Sequence, residues 1–230
     1  MTGSTPSRGT FITIEGPDGG GKSTVVARLR DVLATDGFAV TLVREPGGTP
    51  IGERIRAMLL DADGSAPLDA RVEALLFNAA RAQLVAELIR PRLEAGDVVL
   101  CDRFADSTLA YQGAGSGVPL ADLRALEAVA TAGLRPDLTV LLDVPAELGL
   151  ARKAGSETRF ERDFDLDYHR RVRQGFLALA AAEPDRFVVV DATRAAADVL
   201  GEVVAAVHLV LGAQPHPGLA AVNRNRRTGA

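Results

Sequence analysis

Phe11-Ile12-Thr13-Ile14-Glu15-Gly16-Pro17-Asp18-Gly19-Gly20-Gly21-Lys22-Ser23-Thr24 is the stretch that decides the fold. A short apolar run ends in a glycine-rich turn, and Lys-Ser-Thr then opens a helical pattern. Gly16, four residues, then Gly21-Lys22-Ser23 is the spacing of a phosphate-binding loop. Small residues let successive backbone N–H groups turn inward onto phosphate oxygens. The helix that follows adds its positive end. Gly16, Pro17, Asp18, Gly19, Gly20, Gly21, Lys22, Ser23 and Thr24 are thus the candidate cradle for a nucleotide polyphosphate. Lys22 is expected to reach the outer phosphates and Ser23 to hold Mg²⁺. A glycine-rich turn that binds nothing is the plainer alternative, and a strand before it with a helix after it argues against that.

Outward from the loop, apolar runs alternate with helical spacing. Strands are expected at Phe11–Glu15, Ala39–Val43, Val98–Cys101, Leu138–Leu142 and Phe187–Val190. Helices are expected at Ser23–Ala34, Ile51–Leu60, Ala70–Ile89 with an extension to Glu94 left open, Leu120–Ala132, Ala146–Lys153, a stretch ending near Ala182, and Ala195–Leu211. Several strands are apolar throughout, as in a parallel sheet covered on both faces. The expected fold is α/β: a three-layer P-loop NTPase fold with a five-stranded parallel sheet. Gly113-Ala114-Gly115-Ser116-Gly117 reads as flexible, and 154–167 as a polar lid carrying Arg159 and Arg162. Residues 1–9 read as a loose arm, 10–212 as one kinase domain and 213–230 as a disordered tail.

Composition narrows the partners. The 230 residues carry 26 basic and 30 acidic side chains, a net charge of −4, so nothing suggests nucleic-acid binding. Only Lys22 and Lys153 are lysines; the other basic residues are arginines, planar donors suited to phosphate. A single cysteine, Cys101, excludes an intramolecular disulfide. No apolar run is long enough to span a bilayer, and the polar N-terminus lacks a signal core, so a cytoplasmic location is expected.

In parallel α/β sheets ligands bind beyond the carboxyl ends of the strands. Asp18, Arg44 and Glu45, Asp102 and Arg103, Asp143, and Asp191 with Thr193 all follow strands. Asp102 and Asp143 both end apolar runs and are even as Mg²⁺ carboxylates on that pattern. The neighbouring Arg103 favours Asp102 and leaves Asp143 a structural part. Phe77 and Arg81 share a helix face, either as a base-stacking and base-edge pair or as a core aromatic beside a solvated arginine. The guanine-reading Asn-Lys-x-Asp of GTPases is absent.

Three motifs together resemble the thymidylate kinase family: Glu15 to Thr24, Arg44-Glu45-Pro46-Gly47-Gly48-Thr49, and Asp102 to Gly113. Leu76 to Arg81 and Arg159-Phe160-Glu161-Arg162 are similar to it as well. The resemblance implies transfer of the ATP γ-phosphoryl group to dTMP, with Mg²⁺, in a homodimer. It implies catalysis by Lys22, Arg103, Arg159 and Asp18, with Arg162 as second choice for the lid arginine. Phe77 would stack on thymine and Arg81 read its edge. Asp18, Ser107 and Gln112 would hold the nucleotide, Tyr111 would crowd the sugar 2′ position, and Arg56 and Arg103 would hold its phosphate. Arg152 would stack on adenine. Some family members carry an arginine where this chain has Gly19; those without it are similar to the bacterial type, whose catalytic arginine comes from the lid.

Overall fold

The computed structural model describes residues 8–60, 68–153 and 164–212. The tail at 213–230 and most of the expected lid, with Arg159 and Arg162, lie outside the described residues. Five strands are described: β1 (Phe11–Glu15), β2 (Val40–Arg44), β3 (Val98–Asp102), β4 (Leu138–Asp143) and β5 (Phe187–Asp191). The helices are α1 (Lys22–Thr35), α2 (Pro50–Leu60), α3 (Ala70–Leu84), α4 (Arg90–Glu94), α5 (Ala105–Thr108), α6 (Leu120–Thr131), α7 (Ala146–Arg152), α8 (Leu166–Ala182) and α9 (Ala196–Val210). A π-helical turn, Val85–Ile89, joins α3 to α4, and another, Leu109–Gly115, continues α5.

Every residue of β1 is buried, so it takes the centre of the sheet. The strand order is β2-β3-β1-β4-β5, with every pair parallel. Ile12 and Ile14 point to one face, where Leu100, Val140 and Val190 pack with Leu29 and Leu33 of α1 and Val203 and Val207 of α9. Phe11, Val99 and Cys101 point to the other, against Leu84, Ile89 and Phe104. That second face is completed by Leu141 and Phe187 under Tyr168, Val172 and Phe176 of α8. Each fully buried Leu or Phe contributes about 1.5–3 kcal/mol, so both helical layers are held by the alternation within the strands. Register puts Ile14 beside Asp102 and Val140, so the ends of β1, β3 and β4 emerge together.

The expected flexibility at Gly113–Gly117 is not what the fold uses these residues for. Leu109–Gly115 is helical and mostly buried. A methyl group on Gly115 would sit 2.6 Å from Tyr168 Cε2, and one on Gly175 would sit 2.5 Å from Ala114 Cβ. The small residues let α8 lie close against the π-helical segment, which is how Tyr111 and Gln112 are held. Asp143 is engaged by Arg173 of α8 through two bonds of 2.7 and 2.8 Å, the structural part expected of it. No described helix is long and apolar enough to cross a membrane.

Gly149 of α7 rests directly on the phosphate loop, and a Cβ there would lie 2.2 Å from the Asp18 carbonyl oxygen. Neither partner is a side chain that can rotate away, so Gly149→Ala is expected to lower stability by about 1–3 kcal/mol. Gly201 in α9 has nothing within 4 Å of its would-be Cβ. Gly201→Ala is expected to raise stability by about 0.5–1 kcal/mol. Urea midpoints read both; equal effects would mean that the α7 contact on the loop is loose.

Candidate active site

The phosphate loop bends through three glycines at positive φ, Gly16 at 139°, Gly19 at 75° and Gly21 at 82°. Gly21 is the N-cap of α1, which has no side-chain cap and no acidic residue in its first turn. By contrast, Asp69 caps α3 by accepting from Arg71 N at 2.8 Å. The free amides and positive end of α1 are therefore open to an anion. Gly19 could not carry a larger side chain without the loop moving, because a Cβ there would lie 2.1 Å from the Gly149 carbonyl oxygen.

Lys22 is 8% exposed, and its Nζ donates to the carbonyls of Gly16 at 2.9 Å and Pro17 at 2.7 Å. Gly16 and Pro17 do not reach the cleft wall; they hold Lys22 from behind. Burial, then the nearby Arg103, lowers the Lys22 pKa to about 7. Ser23 Oγ donates to Asp102 Oδ2 at 2.7 Å, so the hydroxyl and the carboxylate expected to serve Mg²⁺ meet at one point. Among the described residues no group of three His, Cys, Asp or Glu side chains could hold a metal. A hydroxyl and one carboxylate suit Mg²⁺, which keeps waters and takes phosphate oxygens.

Arg103 is the hub. Its backbone is left-handed, φ 68°, fixed by its own N–H donating to Ile14 O at 3.1 Å. Its guanidinium donates to Asp18 Oδ1 at 2.6 Å, Gly16 O at 3.1 Å, Ser107 Oγ at 3.1 Å and Tyr111 Oη at 3.1 Å. Tyr111 Oη donates in turn to Asp18 Oδ2 at 2.8 Å. Burial opposes ionisation of Asp18, but Arg103, Lys22 and Lys153 outweigh it and hold the carboxyl well below the usual range. Burial also pushes the Tyr111 phenol up, so it stays a proton donor to Asp18.

Glu15 lies beneath this hub, wholly buried, with Oε1 accepting from Phe104 N at 2.7 Å and Oε2 from Ser107 Oγ at 2.6 Å. Burial, then the neighbouring Asp106, pushes its carboxyl far above the ordinary range. Arg81 is not solvated: it is 1% exposed and paired with Glu45 at 2.7 Å, with further bonds to Asn78, Phe104 O and Thr108.

One cleft of about 740 Å³ joins these groups. Its wall carries Asp18 to Thr24 on one side, and Arg56, Phe77, Arg81, Arg103, Ser107, Tyr111 and Gln112 on the other. Asp102 and Arg152 also line it, and Arg152 donates to Ala192 O at 2.9 Å. Apart from Gly16 and Pro17, every candidate within the described residues therefore reaches the cleft. The sequence reading passed over Arg28, Ala192, Arg194 and Leu200, which complete the wall beside Arg152. Asp191 and Thr193 at the end of β5 were the available signal. Glu45 stood among the strand-end charges without a role, and Glu15 and Glu73 were passed over; all three are buried acids that hold cleft residues.

The thymidylate kinase family model matches residues 14–203. The chain belongs to the thymidylate kinase family. It is 55% identical over 203 residues to a thymidylate kinase of Deinococcus radiodurans, covering 87% of this chain and 97% of that one. A thymidylate kinase of Desulfovibrio desulfuricans is 50% identical over 210 residues, with 87% and 96% covered. The crystal structure of a thymidylate kinase from Ehrlichia chaffeensis superposes with a TM-score of 0.71 at 32% identity, over 87% of this chain and 99% of that one. The sheet and its helical layers are thus those of a nucleoside monophosphate kinase.

The depressed Lys22 pKa has a stability consequence. In the unfolded chain a lysine holds its proton up to about pH 10.4; in the folded chain it loses it near 7. The cost of charged Lys22 is fully present below pH 7 and fades as pH rises toward 10. Between about pH 7.5 and 9.5 the wild type should gain up to about 1.4 kcal/mol per pH unit relative to Lys22→Met. Parallel urea titrations of the two proteins measure this difference, and superimposable slopes would contradict it.

Proposed function

We propose that the two walls of the cleft hold ATP and dTMP, with Arg103 at their junction. As a member of the thymidylate kinase family, the chain is a nucleoside monophosphate kinase that phosphorylates dTMP to dTDP using ATP. The observation that carries the residue assignment is that Arg103 touches the phosphate loop, Asp18, Ser107 and Tyr111 at once.

On the donor side, the loop amides, the α1 N-terminus and Lys22 receive the polyphosphate, and Arg152 lies against adenine. Ser23 and Asp102 would hold Mg²⁺, which when bound supplies positive charge to the phosphates. On the acceptor side, Phe77 stacks on thymine, Arg81 reads its edge, and Tyr111 excludes a 2′-hydroxyl. Asp18, Ser107 and Gln112 orient the nucleotide, and Arg56 and Arg103 grip its phosphate.

An oxygen of the dTMP phosphate attacks the γ-phosphorus in line. The bond to the β–γ bridging oxygen breaks, and its electron pair leaves on ADP. The attacking phosphate is already anionic at neutral pH, so no strong general base is required. The barrier is the approach of two polyanions, and Lys22, Arg103 and Arg159 from the lid would stabilise the charge spread over the transferred group. Such positioned donors are worth about 10²–10³ in rate each.

The family's homodimer is supported by exposed apolar side chains on neighbouring helices, Met58 of α2 with Val72 and Leu75 of α3. A monomeric mass in sedimentation equilibrium would contradict it. ATP and dTMP are cytoplasmic metabolites, and the enzyme is proposed to work there.

The decisive assay measures ADP release with ATP and Mg²⁺ across dTMP, dUMP, AMP and CMP. The highest kcat/KM is expected with dTMP, and a preference for any other acceptor would overturn the reading. In the same assay Arg159→Ala is expected to lower kcat more than dTMP affinity. If Arg162→Ala does so instead, Arg162 is the catalytic lid arginine.

A further inference from the structure

Glu73, Phe77 and Arg81 are spaced four apart on α3 and so form one stripe along the helix. Phe77 and Arg81 line the cleft, while Glu73 stands behind it, 1% exposed. A carboxylate buried to that degree is costly unless it is hydrogen-bonded. Glu73 Oε2 accepts from Gln112 Nε2 at 3.0 Å. Gln112 is itself 1% exposed, yet it lines the cleft.

This contact fixes which end of the Gln112 amide meets the ligand. An amide has a donor end and an acceptor end of nearly the same shape, and an ionised carboxylate only accepts. The Nε2 end must therefore face Glu73. Gln112 Oε1 has no hydrogen-bond partner among the described residues and is left as an acceptor at the cleft. Arg81 Nη1 has two hydrogens, of which one is engaged by Asn78 Oδ1 at 2.9 Å. The cleft thus offers one donor and one acceptor to a base edge.

We infer that Glu73 is a positioning residue that sets the polarity of Gln112, so that the site takes a pyrimidine-2,4-dione and refuses a 4-aminopyrimidine. A dione edge presents the O4 acceptor and the N3–H donor, which complement Arg81 and Gln112 Oε1. A cytosine edge presents an amino donor and a bare N3 acceptor, which oppose both. A site whose buried polar groups are left unpaired rejects the wrong ligand far more strongly than a site that merely lacks room. The inference rests on the proposed thymine pocket.

The test is Glu73→Gln. The new amide can donate to Gln112 Oε1, which lets the Gln112 amide turn its Nε2 toward the base. The kcat/KM for dTMP is expected to fall about 10- to 100-fold, mainly through KM. The ratio of kcat/KM for dTMP over dCMP should fall at least about tenfold, with the KM for ATP unchanged. A purely structural role would lower activity on both nucleotides alike and leave the ratio as it was. Should Glu73→Gln fail to fold, Glu73→Met also frees the amide and should give the same loss of discrimination. An unchanged ratio in whichever variant folds overturns the inference. Gln112→Leu separates this from the pocket reading. If it raises the dTMP KM while the Glu73 variants keep the ratio, only the role of Glu73 falls. If it leaves the dTMP KM unchanged, the pocket reading falls and the inference with it.

Discussion

The contact between Arg103 and Asp18, 2.6 Å long and four-fifths or more buried on both sides, is the interaction on which the site depends. It ties the loop after β1 to the loop after β3. Breaking one partner of such a pair costs about 3–5 kcal/mol because the other charge stays buried. The contact is possible only because Arg103 takes a left-handed backbone that sends its side chain back over the sheet edge. Backbone strain of that kind persists where its surroundings over-determine it. Here they do: Ile14 O receives the Arg103 N–H, and Glu15 receives the next N–H, from Phe104.

The same arrangement keeps two basic side chains out of water. Lys22 is folded back onto loop carbonyls and Arg103 onto Asp18 and Gly16 O. In the proposed function both donors exchange part of these contacts for phosphate oxygens inside a site already shaped around them. Asp18 and Tyr111 form the boundary between the two halves of the cleft, since each touches the arginine at the junction. Glu15 and Glu73 lie one step further back and Glu45 stands in the wall itself, each bonded to other residues of the wall.

How much of this could be read from the chain depends on distance along it. The phosphate loop is contiguous, and its glycine spacing with one of only two lysines fixes both the loop and the strand–helix pair around it. Fully apolar strands specify a parallel sheet without reference to partners. The buried acids could not be read so directly. Glu45 meets Arg81 36 residues away, Glu73 meets Gln112 39 residues away, and Glu15 meets Ser107 92 residues away. A lone Glu defaults to solvent until its partner is known. The solvated alternative for Arg81 fails for the same reason. Glycines misled in the other direction: Gly113 and Gly115 suggested a flexible link, whereas α6 lies against the first and α8 against the second.

The central claim is that Arg103 stands where donor and acceptor phosphates meet. A crystal structure of the chain with dTMP and a non-hydrolysable ATP analogue tests it most directly. The account predicts the dTMP phosphate on the Arg103 guanidinium, facing the γ-phosphate over Lys22, with the sugar beside Asp18 and Tyr111. A dTMP phosphate bound away from Arg103, or a base outside the Phe77 and Gln112 wall, would contradict it.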